Sequence, residues 1–322
     1  MNFYDVLQAS SFALTITLPN LLLLSLGFYL YRQGKIERNF VNVASNFVFN
    51  YCLPCLLFLS IIKSQVDYNQ QITLIGAGIL VTFILYIGAE IYAYYRIQAP
   101  EDKGVFVQGV FRSNMAIISL ATVANAYGTV GMSVGAVYMG VVTILFNILS
   151  VITLSRTQQQ VSFIAQAWDI IKKIMTNPLI IALVSGFIYK MMAIPLPPEA
   201  LMKTGTLLAG VALPLALICA GASLDLKSMF GLSGLSMQAS LARILIAPLI
   251  AVAVGLSFNL PPLQMGVLFM MVSAPVATAS YVMAKAMGGN ETLAANILAF
   301  TTVFSMIGMG IGAAILRSMG LI

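Results

Sequence analysis

Two stretches of the chain place polar side chains inside otherwise apolar runs. The first reads Gly109-Val-Phe-Arg112-Ser113-Asn114-Met-Ala, and the second Met271-Val-Ser273-Ala274-Pro275-Val-Ala-Thr278-Ala-Ser280-Tyr281. A guanidinium, a carboxamide and hydroxyls supply between them the donors that hold a carboxylate. Pro275 removes one helical hydrogen bond and disfavours helix at Ala274. Small hydroxyl residues beside it then either satisfy the freed backbone or bind a ligand. A plain proline kink packed with small residues is the competing reading. Arg112 lies eight residues past Gly104, roughly 12 Å into a helix. It is either a snorkelling headgroup anchor or a fixed positive charge that attracts an anion.

Further polar positions surround these two stretches. Arg243 sits deeper, in Ala-Ser-Leu-Ala-Arg243-Ile-Leu-Ile-Ala-Pro248, with no carboxylate in its own run. Such a residue needs a partner elsewhere or a water-filled cavity. Glu90 is the acidic candidate, which would give Glu90 and Arg243 a coupling or gating role; an interfacial glutamate is the alternative. Asn46 and Asn50 stand one helical turn apart. Like Asn147, they either bond a neighbouring helix or line a cavity. Cys52-Leu-Pro-Cys55 has a redox or metal-site spelling, but it lies in an apolar run of a chain with no histidine. The missing histidine also removes the commonest general base. Gly221-Ala-Ser-Leu224 has no preceding strand to make it a nucleophile elbow. The sequence points to no enzyme, no cofactor and no metal.

The elements that position these residues must live in lipid. Sixty per cent of residues are hydrophobic and only 8% are charged, against about a quarter in soluble domains; mean hydropathy is +0.97. The net charge of +6 reads as loop bias, with no basic patch for nucleic acid. Apolar runs predict an all-α integral membrane protein with ten transmembrane helices near 10–31, 39–62, 72–95, 104–126, 129–154, 175–194, 200–223, 231–257, 262–286 and 291–316. All are helical because unpaired backbone in lipid is too costly. Met1 to Ser10 lacks Lys and Arg, so the first run reads as a span and not as a signal peptide. Ten Lys and Arg follow the odd-numbered spans and four lie on the other side. That bias puts the first group in the cytoplasm and both termini outside.

Pro19, Leu53-Pro54 and Thr143-x-x-Phe146-Asn147 recur about 160 residues later as Pro178, Leu213-Pro214 and Thr301-x-x-Phe304-Ser305. Two copies follow, residues 1–155 and 175–322, joined by a cytoplasmic linker at 156–174. Five spans per copy is an odd number, so the copies are inverted, the architecture of secondary transporters with a midplane site. The interrupted fourth and ninth spans are the expected site. It comprises Arg112, Ser113, Asn114, Ser273, Ala274, Pro275 and Thr278, with Asn50 and Asn147 as further substrate contacts.

Phe111-Arg-Ser-Asn114 with Tyr127-Gly128, Asn177-Pro178-Leu-Ile-Ile, Leu213-Pro-Leu-Ala-Leu217 with Gly221-Ala-Ser-Leu224, and Ala274-Pro275 with Tyr281-Val-Met-Ala284 form an ordered set. In this set the chain resembles the auxin efflux carrier family, in its bacterial form, over nearly its whole length. The resemblance implies two inverted five-helix repeats whose broken fourth and ninth helices cross at the centre. It also implies transport of small organic anions, auxin in plants and malonate-like carboxylates in bacteria, by a homodimer in the bacterial inner membrane. Two departures stand out. Ile118-Ser-Leu-Ala121 lacks the proline usual after the Arg-x-Asn segment, which predicts a first break that is either softer or held open by Ser113 and Asn114, and the segment Ser155 to Met175 is short where some plant members have a long loop. Outward movement of one negative charge is favoured by ~2.3 kcal/mol per 100 mV of inside-negative potential, which leans toward export without a coupling ion. A sodium-coupled carrier of the bile-acid symporter type and a non-transporting membrane sensor are the alternatives.

Overall fold

In a computed structural model, residues 3–64, 71–155, 168, 171–172, 175–224 and 234–322 are described. Most of the expected linker, with Arg156 and Lys173, lies outside them, as does Lys227. The described residues are helical throughout apart from short connections and one isolated two-residue bridge. Among the described residues, seven helices are long and apolar enough to cross a membrane: Gln8–Arg32, Arg38–Lys63, Ile72–Arg96, Met115–Leu154, Glu199–Ala222, Gly234–Ser257 and Glu291–Ser318. Pro178–Met191 and Pro262–Ser273 are shorter apolar helices.

In chain order the elements are α1 (Phe3–Arg32), α2 (Arg38–Phe47), α3 (Leu53–Lys63), α4 (Ile72–Arg96), α5 (Pro100–Phe111), α6 (Leu120–Leu154), α7 (Pro178–Met191), α8 (Glu199–Ala222), α9 (Gly234–Leu241), α10 (Ala247–Ser257), α11 (Pro262–Ser273), α12 (Thr278–Ala286) and α13 (Glu291–Ser318). Widened π turns at Val48–Cys52 and Ala242–Ile246 link α2 to α3 and α9 to α10. Both run into a proline, Pro54 and Pro248. A proline ring clashes with the carbonyl four residues back, and a widened turn is a common way to relieve that clash without ending the helix. A third π turn, Met115–Ser119, opens α6.

The break expected between the spans 104–126 and 129–154 is confined to one residue. Gly128 has φ 58° and ψ −144° inside α6, a region open in practice only to glycine. The chain doubles back there. α6 leaves the end of α5 and finishes beside its start, where a methyl on Gly104 would sit 2.7 Å from Thr153 O.

Packing brings distant segments together at two ends. The Arg317 guanidinium lies 5.0 Å from the Phe12 ring centroid, so the start of α1 and the end of α13 share one end of the molecule. Lys63 Nζ donates to Thr206 Oγ1 at 3.0 Å, and Ser133 Oγ to Ser60 O at 2.8 Å. At the opposite end Asn290 Nδ2 donates to Asp102 Oδ1 at 2.7 Å and Tyr92 OH to Gln238 Oε1 at 2.9 Å. α1 packs along α8, and α3 packs along α7. The first pair meets through glycine, since a methyl on Gly27 would lie 2.0 Å from Ile218 O and one on Gly221 1.9 Å from Leu24 O.

Candidate functional site

α5 and α11 are each 12 residues long, and each begins with a proline in its first turn. Each then stops in the middle of the molecule. Arg112 (φ −89°, ψ 103°) and Ala274 (φ −63°, ψ 154°) are extended, and so is Ala277 before α12. The two extended segments run antiparallel and pair at Ser113 and Val276. Asn114 N–H donates to Pro275 O at 2.8 Å, and Ala277 N–H to Arg112 O at 3.3 Å. Val276 N–H donates sideways to Thr301 Oγ1 on α13 at 3.2 Å. Each break therefore supplies the partners that the other lost when it left the helix. Of the two expectations for the first break, the second describes what forms: the segment leaves helical geometry outright and is held open at Ser113 and Asn114, whose backbone pairs with the second break.

Arg243 completes the crossing. Its side chain is fully buried. Nε donates to Ala274 O at 2.9 Å, Nη1 to Val110 O at 3.0 Å and Phe111 O at 3.2 Å, and Nη2 to Val272 O. One guanidinium thus caps the C-terminal carbonyls of both α5 and α11, the ends where helix dipoles concentrate negative charge. Its partner is backbone and not Glu90, which accepts from Thr153 Oγ1 at 2.8 Å.

With those ends neutralised, the segments that begin beyond the breaks present their positive N-termini to the same region. One is the π turn Met115–Ser119 leading into α6, the other is α12. Polar groups there are left open. The Asn114 side chain is buried and makes no hydrogen bond among the described residues. Ser113 Oγ, Ser273 Oγ and Ser280 Oγ are buried and unpartnered among them. Thr278, at the first position of α12, is exposed. Ala274 and Pro275 contribute backbone oxygens to the crossing, to Arg243 and Asn114 respectively.

Arg112 points from the crossing toward the later part of α6. Nη2 donates to Asn147 Oδ1 at 2.9 Å, and Nη1 to Ser150 Oγ at 3.0 Å and toward Met283 Sδ at 2.8 Å. Arg112 and Asn147, expected separately from sequence, therefore meet. Asn50 does not join them: it is exposed, and its Nδ2 donates back to Asn46 O at 2.8 Å. All three cysteines are free.

Gln108, Ser119, Ser150, Met283 and Thr301 belong to this constellation and were not expected at the site from sequence, where Thr301 stood only as a repeat position. Gln108 carried a usable signal, being polar in an apolar run one turn before Arg112. Ser119, whose Oγ lies 3.3 Å from Asn114 O and 3.4 Å from Met271 O, carried none.

A family model described as Membrane transport protein matches residues 12–311, a range that holds both breaks and Arg243. None of the curated proteins compared with the chain matches it. A match over nearly the whole length, around a crossing of two broken helices, agrees with the motifs that resemble auxin efflux carriers, and the chain belongs to this family of membrane transport proteins.

Proposed function

We propose that the protein carries small organic carboxylates across the bacterial cytoplasmic membrane by alternating access, in the export direction. The observation that carries this reading is the asymmetry of charge at the crossing. Arg243 cancels the helix C-termini, while the opposing N-termini, the Asn114 carboxamide and the hydroxyls of Ser113 and Ser273 remain free for an anion. Helix N-termini with open donors favour negative charge. In this reading Asn114, Ser113 and Ser273 to Thr278 contact the carboxylate, and Arg112 favours its charge.

The same reading takes the chain across the membrane ten times, as two inverted repeats. Supporting this, Met115–Leu154 is 40 residues long, roughly 60 Å as a straight helix and twice the hydrocarbon thickness. Gly128 divides it. Supporting the inversion, α1 packs on α8 as α7 packs on α3, the relation expected if the first and sixth spans are counterparts. α4 to α6 and α9 to α13 would move against α1, α2–α3, α7 and α8, with Glu90 and Arg243 in the moving part. Family resemblance adds a homodimer. No coupling ion is required, since inside-negative voltage favours anion exit by ~2.3 kcal/mol per 100 mV.

Counterflow in proteoliposomes over a panel of mono- and dicarboxylates tests the proposal. Asn114→Ala and Arg112→Ala, at unchanged protein level, should abolish the flux. Undiminished flux in both would sink the site assignment.

A further inference from the structure

Gln108 and Arg112 are one helical turn apart, and both are nearly inaccessible, 1% and 6% exposed. Their donors converge on one atom of the facing helix. Met283 Sδ, on α12, lies 2.8 Å from Arg112 Nη1 and 3.9 Å from Gln108 Nε2. The remaining partners of Arg112 are neutral oxygens, Ser150 Oγ and Asn147 Oδ1. Among the described residues no carboxylate pairs with it; Lys285 and Glu291 form the ion pair found there.

A thioether is a weak acceptor, whereas a buried guanidinium binds best to a carboxylate, whose two oxygens accept separate donors. Here two buried donors share one sulfur. Methionine also has the freedom to leave, since it is unbranched and has three rotatable side-chain bonds. Its neighbours Val282 and Lys285 on α12 are exposed, so the outer side of that helix is open.

We propose that Gln108, Arg112, Asn147 and Ser150 form a second carboxylate subsite, set apart from Asn114, and that the Met283 side chain occupies it until an anion arrives. Asn147 and Ser150 fall within about two turns of the end of α6, so the subsite faces the end of the molecule that holds Asp102 and Asn290. In the orientation given by the charge bias this is the cytoplasmic approach. A carboxylate would place one oxygen on Arg112 Nη1 and the other on Gln108 Nε2, displacing the sulfur. The inference rests on the anion reading above and adds to it a place where substrate first docks, gated by one side chain.

The experiment titrates purified protein with phenylacetate and with malonate, reading thermal unfolding, and repeats the titration as counterflow. Met283→Leu keeps the volume but removes the competing acceptor, so the half-saturating anion concentration should fall roughly three- to ten-fold. Met283→Glu tethers a carboxylate to the subsite. The variant should unfold no lower than wild type, should be stabilised by added anion less than wild type because only the Asn114 site stays open, and should lose more than about ten-fold in flux. Met283→Gln, of the same length without the charge, should keep the anion-induced shift. An unchanged half-saturation in Met283→Leu, or an anion response in Met283→Glu as large as that of wild type, overturns the subsite. Unfolding is read without flux, so this failure is separate from that of the carrier reading, which falls if wild type exchanges none of the panel.

Discussion

At the scale of single residues, Arg243 is what permits two helices to end inside the protein. Four backbone carbonyls, those of Val110, Phe111, Val272 and Ala274, depend on it. Each buried carbonyl left without a donor costs about 1–3 kcal/mol. Arg243→Ala should therefore lower unfolding stability in detergent by more than ~3 kcal/mol, read by denaturant titration. Arg243→Lys should recover only part of that loss, because one ammonium lacks the planar fork that reaches both helix ends. The chain alone identifies Arg243 as a deep arginine in need of a partner. It does not identify the partner, because a backbone carbonyl is common to every residue and leaves no mark in a sequence. The reverse holds for Asn114 and Asn147. Both are visible as polar residues within apolar runs, but only the fold separates the one that is free from the one that Arg112 engages.

At the scale of elements, the sequence marks the second break by Pro275 and gives the first break no equivalent in Ile118 to Ala121. The structure opens both, because what holds a break open is the opposite break, through Asn114 N–H to Pro275 O and Ala277 N–H to Arg112 O. Sequence periodicity reports on one helix at a time, so a hydrogen bond between two interrupted helices is beyond it. Helix contact is more readable where glycine is required. α1 and α8 touch through Gly27 and Gly221, where an added methyl would meet backbone oxygen at 2.0 Å and 1.9 Å. Backbone cannot move aside as a flexible side chain can, so Gly27→Ala should separate the two helices and lower the unfolding midpoint clearly. Gly88→Ala, with nothing within 4 Å of the new methyl, should leave the midpoint level or raise it by up to about 1 kcal/mol. Equal effects of the two substitutions would contradict the packing.

At the scale of the molecule, the early part of α1 lies beside the end of α13, so the first and last helices share one end. The Lys and Arg bias makes that end non-cytoplasmic in the proposed topology. Single cysteines in a cysteine-free background check it. Cysteine at Thr129 or Lys203, both exposed, should react with an impermeant maleimide on intact cells, whereas cysteine at Lys103 should react only after permeabilisation. At this scale the expectation rests on one-dimensional patterns, the spacing of prolines and the side preference of cations, and the labelling reads whether they report the topology.

The mutual pairing of the two breaks has a mechanical and an electrical consequence. Tied to each other and to one guanidinium, the interrupted helices cannot open as independent doors, so in the proposed carrier a bound anion would ride as a passenger on one stiff body. The fixed charges of Arg112 and Arg243 would ride with it. A monoanion would cancel one of the two, so the loaded stroke would feel the voltage less than the empty one. The empty carrier would keep both charges and be drawn inward the more strongly by the inside-negative membrane, so the field would act chiefly as a return spring.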